Sequence, residues 1–392
     1  MKAVVFHGVG DIRLEDVPEP RIEEPTDAIV RLTASAICGT DLHFVRGTMP
    51  GTKEGRSLGH EGVGVVEEVG AHVRNLVPGD RVVIPSTIAC GTCSYCRAGY
   101  YAQCDNANPH GPGTAFFGGP EDAGGFDGLQ AEKARIPYAN VGLVKLPDEV
   151  SDDQAILISD IFPTGYQAAD IAEIEDGDTV CVFGCGPVGQ FTIWSAKHLG
   201  AGRVIAVDAI PDRLEAARRQ GAEIVDFEDD DPVELIREMT RGIGPDRVID
   251  AVGVDANRPP EADDEEFEQA IEQLVPDRAP EGPSGPTQVL QWAVEVVAKA
   301  GTISLAGVYP PTVRSFPIGE AFMKNLTLTM GNCNHRKYIP RLVELTRAGA
   351  VDPSALVTQV ESLTDAVEAF EQFDRRRPGW LKVALAGAPV GR

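Results

Sequence analysis

The sequence predicts an α/β protein in two parts, one β-rich and irregular, the other built on a doubly wound parallel sheet. Three observations carry this. Up to about residue 150 the apolar residues fall in short β-type runs broken by Gly and Pro. From about residue 165 apolar strands alternate with amphipathic helices. At the start of that second stretch, "TVCVFGCGPVGQ" runs a hydrophobic strand into a glycine-rich turn and then a helix.

In chain order, "KAVVF", "AIVRLTASAIC", "GVGVVEEVG", "DRVVIPS" and "AEKARIP" read as strands of a mostly antiparallel domain. "TVCVFG", "RVIAVDA", "EIVDF" and "DRVIDAVG" then alternate with helices "PVGQFTIWSAKHLGA", "PDRLEAARRQGA" and "PVELIREMTRG". Such spacing implies parallel strands buried on both faces. Residues 254–287 form an acidic, Pro-rich insertion with one expected helix, whose Phe267, Ile271 and Leu274 share a face and which Asp263 or Asp264 would cap. The βα rhythm resumes with "TQVLQWAVEVVAKAGTISLAGV" and ends at "LTLTMGN". The tail carries helices and a last strand, "LKVALAG", expected to return to the first domain. The expected boundaries are 1–163 with 332–392, and 164–331.

Composition narrows the function classes. A chain of 392 residues, 43% hydrophobic and 24% charged, is ordinary for a folded soluble protein. A net charge of −25 argues against nucleic acid or an anionic membrane as partner, since both would repel it. Nine lysines face twenty-six arginines, and runs such as "FEDDDPVE" read as solvated surface. The acid excess suggests adaptation to high salt, with a high-GC genome as the rival account of the Lys to Arg bias; activity across molar KCl decides between them. The opening "MKAVVFHGVGDIRLEDV" lacks a basic region followed by an apolar run, and no run of eighteen apolar residues occurs, so a cytoplasmic protein is expected.

Gly184, Gly186 and Gly189 form G-x-G-x-x-G around Pro187 and Val188. The first glycine permits a tight turn, the second lets a pyrophosphate approach the backbone, and the third lets helix and strand pack closely. Asp208 ends the next strand, where a carboxylate accepts hydrogen bonds from a ribose 2′-OH and repels a 2′-phosphate. NAD is therefore expected over NADP, with Arg213 as a ribose or adenine contact and a plain turn residue as the alternative for Asp208.

Of eight cysteines, four lie in "CGTCSYCRAGYYAQC": Cys90, Cys93, Cys96 and Cys104. Close thiolate spacing suits a tetrahedral zinc wrapped by one loop. Four protein ligands close the coordination sphere, so this metal is structural; an iron-sulfur cluster or disulfides are the alternatives. Two further stretches, "ICGTDLH" and "LGHEGVG", offer Cys38 and His60 as zinc donors, with Asp41 placed to accept the second imidazole proton. Taken singly, a buried Cys or His is more often core. Asp160, in "LISDIFPTGY", reads by itself as the N-cap of a helix beginning near Pro163.

Cys-Gly-Thr-Asp-x-His, Gly-His-Glu, the four-cysteine lobe and the Gly-rich strand-turn-helix occur here in one order. In that order they resemble the zinc-dependent medium-chain alcohol dehydrogenases over nearly the whole chain. The resemblance implies a GroES-like catalytic domain, split in sequence, and a Rossmann domain, with the active site in the cleft between them. It implies two zinc ions per subunit: a catalytic one on Cys38 and His60, and a structural one on Cys90, Cys93, Cys96 and Cys104. Thr40 resembles the hydroxyl that bonds the substrate oxygen, His43 the outer base of the proton relay, and Glu61 the near-metal acid. Hydride then passes between a primary alcohol or small aldehyde hydrate and NAD. Asp160 stands one hundred positions past His60, where the third ligand is expected. Its segment is similar to that of glutathione-independent formaldehyde dehydrogenases, in which an aspartate binds zinc. A formaldehyde dehydrogenase or aldehyde dismutase with tightly held NAD is thus the alternative. A polyol or threonine dehydrogenase is disfavoured, because its third ligand is usually Glu. Gly39 replaces an arginine that many relatives aim at the cofactor pyrophosphate. Phe116, Phe117 and His110 are candidates for the substrate entrance, with surface packing as the plainer reading. The family is usually dimeric or tetrameric, and "LTLTMG" matches its intersubunit edge strand.

Overall fold

A computed structural model describes residues 1–387 other than 110, 112, 255–286, 310–312 and 314. The helix expected around Phe267 and the position of His110 lie outside the described residues. The chain divides into two units, Met1–Pro163 with Cys333–Arg392, and Thr164–Asn332.

In the first unit β1 (Lys2–Gly8) and β2 (Asp11–Asp16) form an antiparallel hairpin. The main sheet has seven strands: β3 (Ala28–Ile37), β4 (Gly62–Val69), β5 (Arg81–Ile84), β6 (Lys133–Ile136), β7 (Val144–Lys145), β14 (Gln359–Ser362) and β15 (Val383–Ala386). Its order is β14-β15-β3-β4-β5-β7, with β6 also on β3. β3 is central, and Val30, Leu32, Val82, Ile84, Leu129 and Ile136 pack in the core around it. The tail strand does return, for β15 pairs antiparallel with β3 in the register Val383↔Ile37.

That register places the site. β4 pairs with β3 as Ser35↔Gly62, so the end of β3 and the starts of β4 and β15 lie together at one end of the sheet. Cys38 follows β3, His60 and Glu61 precede β4, and Lys382 precedes β15. Asp160 comes from the turn between helices Asp152–Ile158 and Ile161–Asp170. The first of these begins with a capping box in which Ser151 and Gln154 satisfy each other's backbone N–H.

The second unit holds a six-stranded parallel sheet of β8 (Thr179–Phe183), β9 (Arg203–Asp208), β10 (Glu223–Asp226), β11 (Arg247–Asp250), β12 (Thr302–Leu305) and β13 (Thr327–Met330). Its order, β10-β9-β8-β11-β12-β13, reverses direction between β8 and β11, which is the Rossmann switch point. Val180, Cys181, Val182 and Phe183 are all at most 1% exposed, as a strand covered on both faces requires. Among the described residues no helix is long and apolar enough to cross a membrane.

Candidate metal centres and cofactor turn

Cys38, His60, Glu61 and Asp160 are buried, and each offers a ligand atom such that all lie within 4.8 Å of one another. Asp160 Oδ2 lies 3.6 Å from Cys38 Sγ and 3.2 Å from His60 Nε2. Tetrahedral zinc with ordinary bond lengths would hold such donors about 3.5 and about 3.3 Å apart, so the set fits the ion. His60 Nδ1 lies within ion-pair reach of Asp41 Oδ1 at 3.0 Å, and Nε2 faces the other donors. The other Asp41 oxygen accepts the Cys38 amide at 3.0 Å and Gln130 Nε2 at 3.2 Å. One carboxylate thus orients two donors.

Around these donors stand partners that sequence reading missed. His335 Nε2 donates to Asp160 Oδ1 at 2.6 Å. Burial works against the Asp160 charge, but His335 and His60 outweigh it and hold the carboxyl well below its usual range. Glu61 and Lys382 form an ion pair at 2.6 Å, their side chains 0% and 1% exposed, and Lys382 Nζ also donates to the Ile37 carbonyl at 2.9 Å. Burial raises the Glu61 carboxyl above its ordinary value and the Lys382 ammonium opposes that rise. Glu61 Oε2 has no hydrogen-bond partner among the described residues, leaving one buried acceptor beside the donor set. Lysine inside the apolar run "LKVALAG" was the available signal, since a buried cation demands an anion. His335 offered none, being a single histidine at a helix start outside every motif.

In the four-cysteine lobe Cys90 and Cys96, and Cys93 and Cys104, have sulfurs 4.0 Å apart. That is near the roughly 3.8 Å of a tetrahedral tetrathiolate zinc and far from a disulfide bond. The Thr92 and Cys93 amides and Asn106 Nδ2 donate to Cys90 Sγ at 3.3, 3.3 and 3.2 Å. Burial opposes ionisation of Cys90, but the Thr92 hydroxyl and the Thr92 and Cys93 backbone amides outweigh it and bring the thiol down to about 6, whereas burial pushes the Cys96 and Cys104 thiols up.

The cofactor turn is tight. Gly184 has φ +88°, and a Cβ on Gly189 would meet the Gly184 carbonyl oxygen at 1.8 Å. Asp208 Oδ2 accepts the Cys185 amide at 2.6 Å, while Oδ1 accepts the Ala209 and Ile210 amides at 2.8 and 3.0 Å. The carboxylate therefore orders the turn and keeps spare acceptor lone pairs for a ribose hydroxyl. Arg213 lies 4.0 Å from Asp208 Oδ2 and beside Gly186. Pro187 and Val188 open the helix Pro187–His198.

Family models match the two halves: the alcohol dehydrogenase GroES-like domain over residues 24–148, and zinc-binding dehydrogenase over 187–259. A zinc-type alcohol dehydrogenase-like protein of Bacillus subtilis is 39% identical, over 98% of this chain and 100% of its own length. The chain belongs to the zinc-type alcohol dehydrogenases. A glutathione-independent formaldehyde dehydrogenase of Pseudomonas aeruginosa is 32% identical over 96% of each chain. The solved alcohol dehydrogenase of Thermus sp. ATN1 superposes with a TM-score of 0.84 at 36% identity, covering 99% of this chain and 100% of its own. The GroES-like and Rossmann domains are thus those of an oxidoreductase.

In this dehydrogenase Thr40 and His43 lie on the helix Gly39–Val45, three positions apart on one turn. Thr40 is half-buried and His43 buried. Phe116 stacks on Phe44 at 5.8 Å and presents an edge to His60 at 6.1 Å, so it belongs to the surroundings of the site. Phe117 is 2% exposed and packs in the main core, which removes it from the candidates for a substrate entrance.

Proposed function

We propose that this chain is a cytoplasmic, NAD-dependent dehydrogenase of primary alcohols or small aldehyde hydrates, carrying two zinc ions per subunit and working as a homodimer or homotetramer. The observation that carries the reading is the spacing of Asp160 Oδ2 from Cys38 Sγ and from His60 Nε2, which is that of donors sharing one tetrahedral zinc. Bound there, zinc would supply Lewis-acid polarisation of the substrate oxygen. Thr40 would take the substrate hydroxyl proton while giving up its own toward His43, one helical turn further on, and NAD held at the Gly184-Gly186-Gly189 turn would supply the hydride acceptor. Cys90, Cys93, Cys96 and Cys104 hold the second zinc and keep their loop folded. Asp208 favours NAD through the ribose hydroxyl, with Arg213 alongside.

Self-association is supported by the edge strand β13, whose Leu328 and Met330 are 37% and 59% exposed, and by the neighbouring Ile318, Phe322 and Met323 at 70%, 78% and 79%. An apolar sheet edge of this kind is a template for pairing with another copy. Assays of primary alcohols, formaldehyde and longer aldehydes with NAD and NADP, run with metal counting, test the proposal. It fails if no alcohol or aldehyde turns over with NAD, or if Asp160→Ala retains both zincs. A second reading, aldehyde dismutation on retained NAD, is favoured by the aspartate at the third-ligand position; turnover of aldehyde without added cofactor distinguishes it.

A further inference from the structure

We infer that His335 is a positioning residue that fixes Asp160 as a one-oxygen donor, keeping Oδ2 for the metal by occupying Oδ1. The inference rests on the reading of Cys38, His60 and Asp160 as zinc ligands. The two carboxylate oxygens are divided between different neighbours: Oδ2 faces Cys38 Sγ at 3.6 Å and His60 Nε2 at 3.2 Å, and Oδ1 takes His335 Nε2 at 2.6 Å. His335 is itself held from its far side. Its Nδ1 shares a hydrogen bond with the Thr87 hydroxyl at 3.1 Å, and that hydroxyl also reaches the Cys333 carbonyl at 3.4 Å. His335 is 3% and Thr87 6% exposed, so water does not compete strongly for either.

The need for such a device follows from the ligand type. A thiolate offers one donor atom, whereas a carboxylate offers two equivalent oxygens on a torsion that is broad and two-fold. Unrestrained, Asp160 could bind through either oxygen or both, and binding through both raises the coordination number by one. A short, charge-assisted bond to Oδ1 selects one orientation before metal arrives. Partners of this kind typically matter by about 10–100-fold in metal affinity.

The test uses the full-length protein stripped of metal, with His335→Ala, His335→Gln, Thr87→Val and Asp160→Ala. Zinc affinity is measured by chelator competition, and the cobalt-substituted protein gives a visible spectrum. Subtracting the Asp160→Ala spectrum, which retains only the four-cysteine site, isolates the Cys38-His60-Asp160 site. His335→Ala should bind zinc at that site about 10–100-fold more weakly. Its cobalt bands should fall in intensity, as expected when the freed Oδ1 joins the metal. His335→Gln, which can still donate to Oδ1, should restore both, and Thr87→Val should move both in the alanine direction. Parent-like affinity and spectrum in His335→Ala overturn the inference. Equal impairment in Ala and Gln variants with unshifted bands does so too, since that marks packing alone. If His335→Ala does not fold, the Thr87→Val spectrum decides. Retention of both zincs by Asp160→Ala would instead sink the ligand reading itself, so the two failures are distinct.

Discussion

Lys382→Met isolates the energetics of the buried Glu61–Lys382 pair. The substitution keeps most of the side-chain volume and removes the ammonium, which bonds Glu61 Oε1 at 2.6 Å and the Ile37 carbonyl at 2.9 Å. With both side chains at most 1% exposed, Glu61 would be left as an unpaired buried carboxylate. Breaking such a pair costs about 3–5 kcal/mol. For a folded body of about 220 residues, the size of the first unit, each kcal/mol moves Tm by roughly 2–4 °C, so the melt should fall by roughly 6–20 °C. The pH dependence gives a second check. Glu61 already has its carboxyl raised by burial, so the stability linked to it is present below the unfolded carboxylate value and is lost as pH rises through the folded one. Without Lys382 the folded value rises further, and the deficit should widen from mildly acidic toward neutral pH. Adding Glu61→Gln, which cannot ionise, should recover most of the loss. Thermal and urea melts of the zinc-loaded variants measure all of this. A deficit under about 1 kcal/mol at neutral pH, or a double variant no more stable than Lys382→Met, would refute the reasoning.

Three further outcomes are expected. Asp208→Ala should lower kcat/KM for NAD by about 10–100-fold, the worth of a hydrogen bond to a charged group, and raise relative use of NADP; an unchanged NAD to NADP ratio would show Asp208 to be only a turn residue. Asp80→Asn probes acid stability. Burial raises the Asp80 carboxyl, but the Lys145 ammonium and the Val77 amide at 3.0 Å outweigh it and hold it below the usual range, so its contribution is present above the unfolded value and lost as pH falls through the folded one. The variant should lose about 1 kcal/mol at neutral pH and show a shallower acid limb in its melts. Met330→Asp, placing a charge on the β13 edge, should release smaller species in light scattering, and an unchanged mass would locate the self-association elsewhere.

Local geometry was legible in the sequence wherever one segment carries a whole motif. The Gly184-Gly186-Gly189 turn and the cysteines from Cys90 to Cys104 need only spacing, and the six parallel strands announce themselves as apolar runs between amphipathic helices. The Cys38-His60-Asp160 set was harder, since each residue has a plain local reading. Asp160 passes for a helix cap until the other two donors are placed beside it. His335 and Thr87 were not legible as partners, because one opens a helix and the other lies in a loop far away in sequence, and Lys382, though readable as a buried cation, could not be matched to Glu61 until β15 was laid against β3. Phe116 and Phe117 show the same limit. Adjacent aromatic residues looked equivalent, yet one turns toward His60 and the other into the core.

On the proposed reading of Asp160 as the third donor, those unread partners bear on why that donor would be an acid. A carboxylate is a harder ligand than a thiolate and gives less electron density, so a metal held by Cys38, His60 and Asp160 would be the stronger Lewis acid. The same choice brings a second oxygen, and the surroundings of Asp160 answer it with His335 backed by Thr87. They also place a neutralised acid, Glu61, against Lys382, so that its charge does not add to the two formal negative charges of the Cys38 and Asp160 donors. Asp160→Cys would therefore not simply restore a two-cysteine site. It would leave His335 facing a single sulfur, remove the oxygen that His335 binds, and soften the metal at once. Loss of activity with zinc retained in that variant would show that the hardness of the ligand is what the substrate requires, whereas loss of zinc would show that His335 and Asp160 form one unit that a thiolate cannot replace.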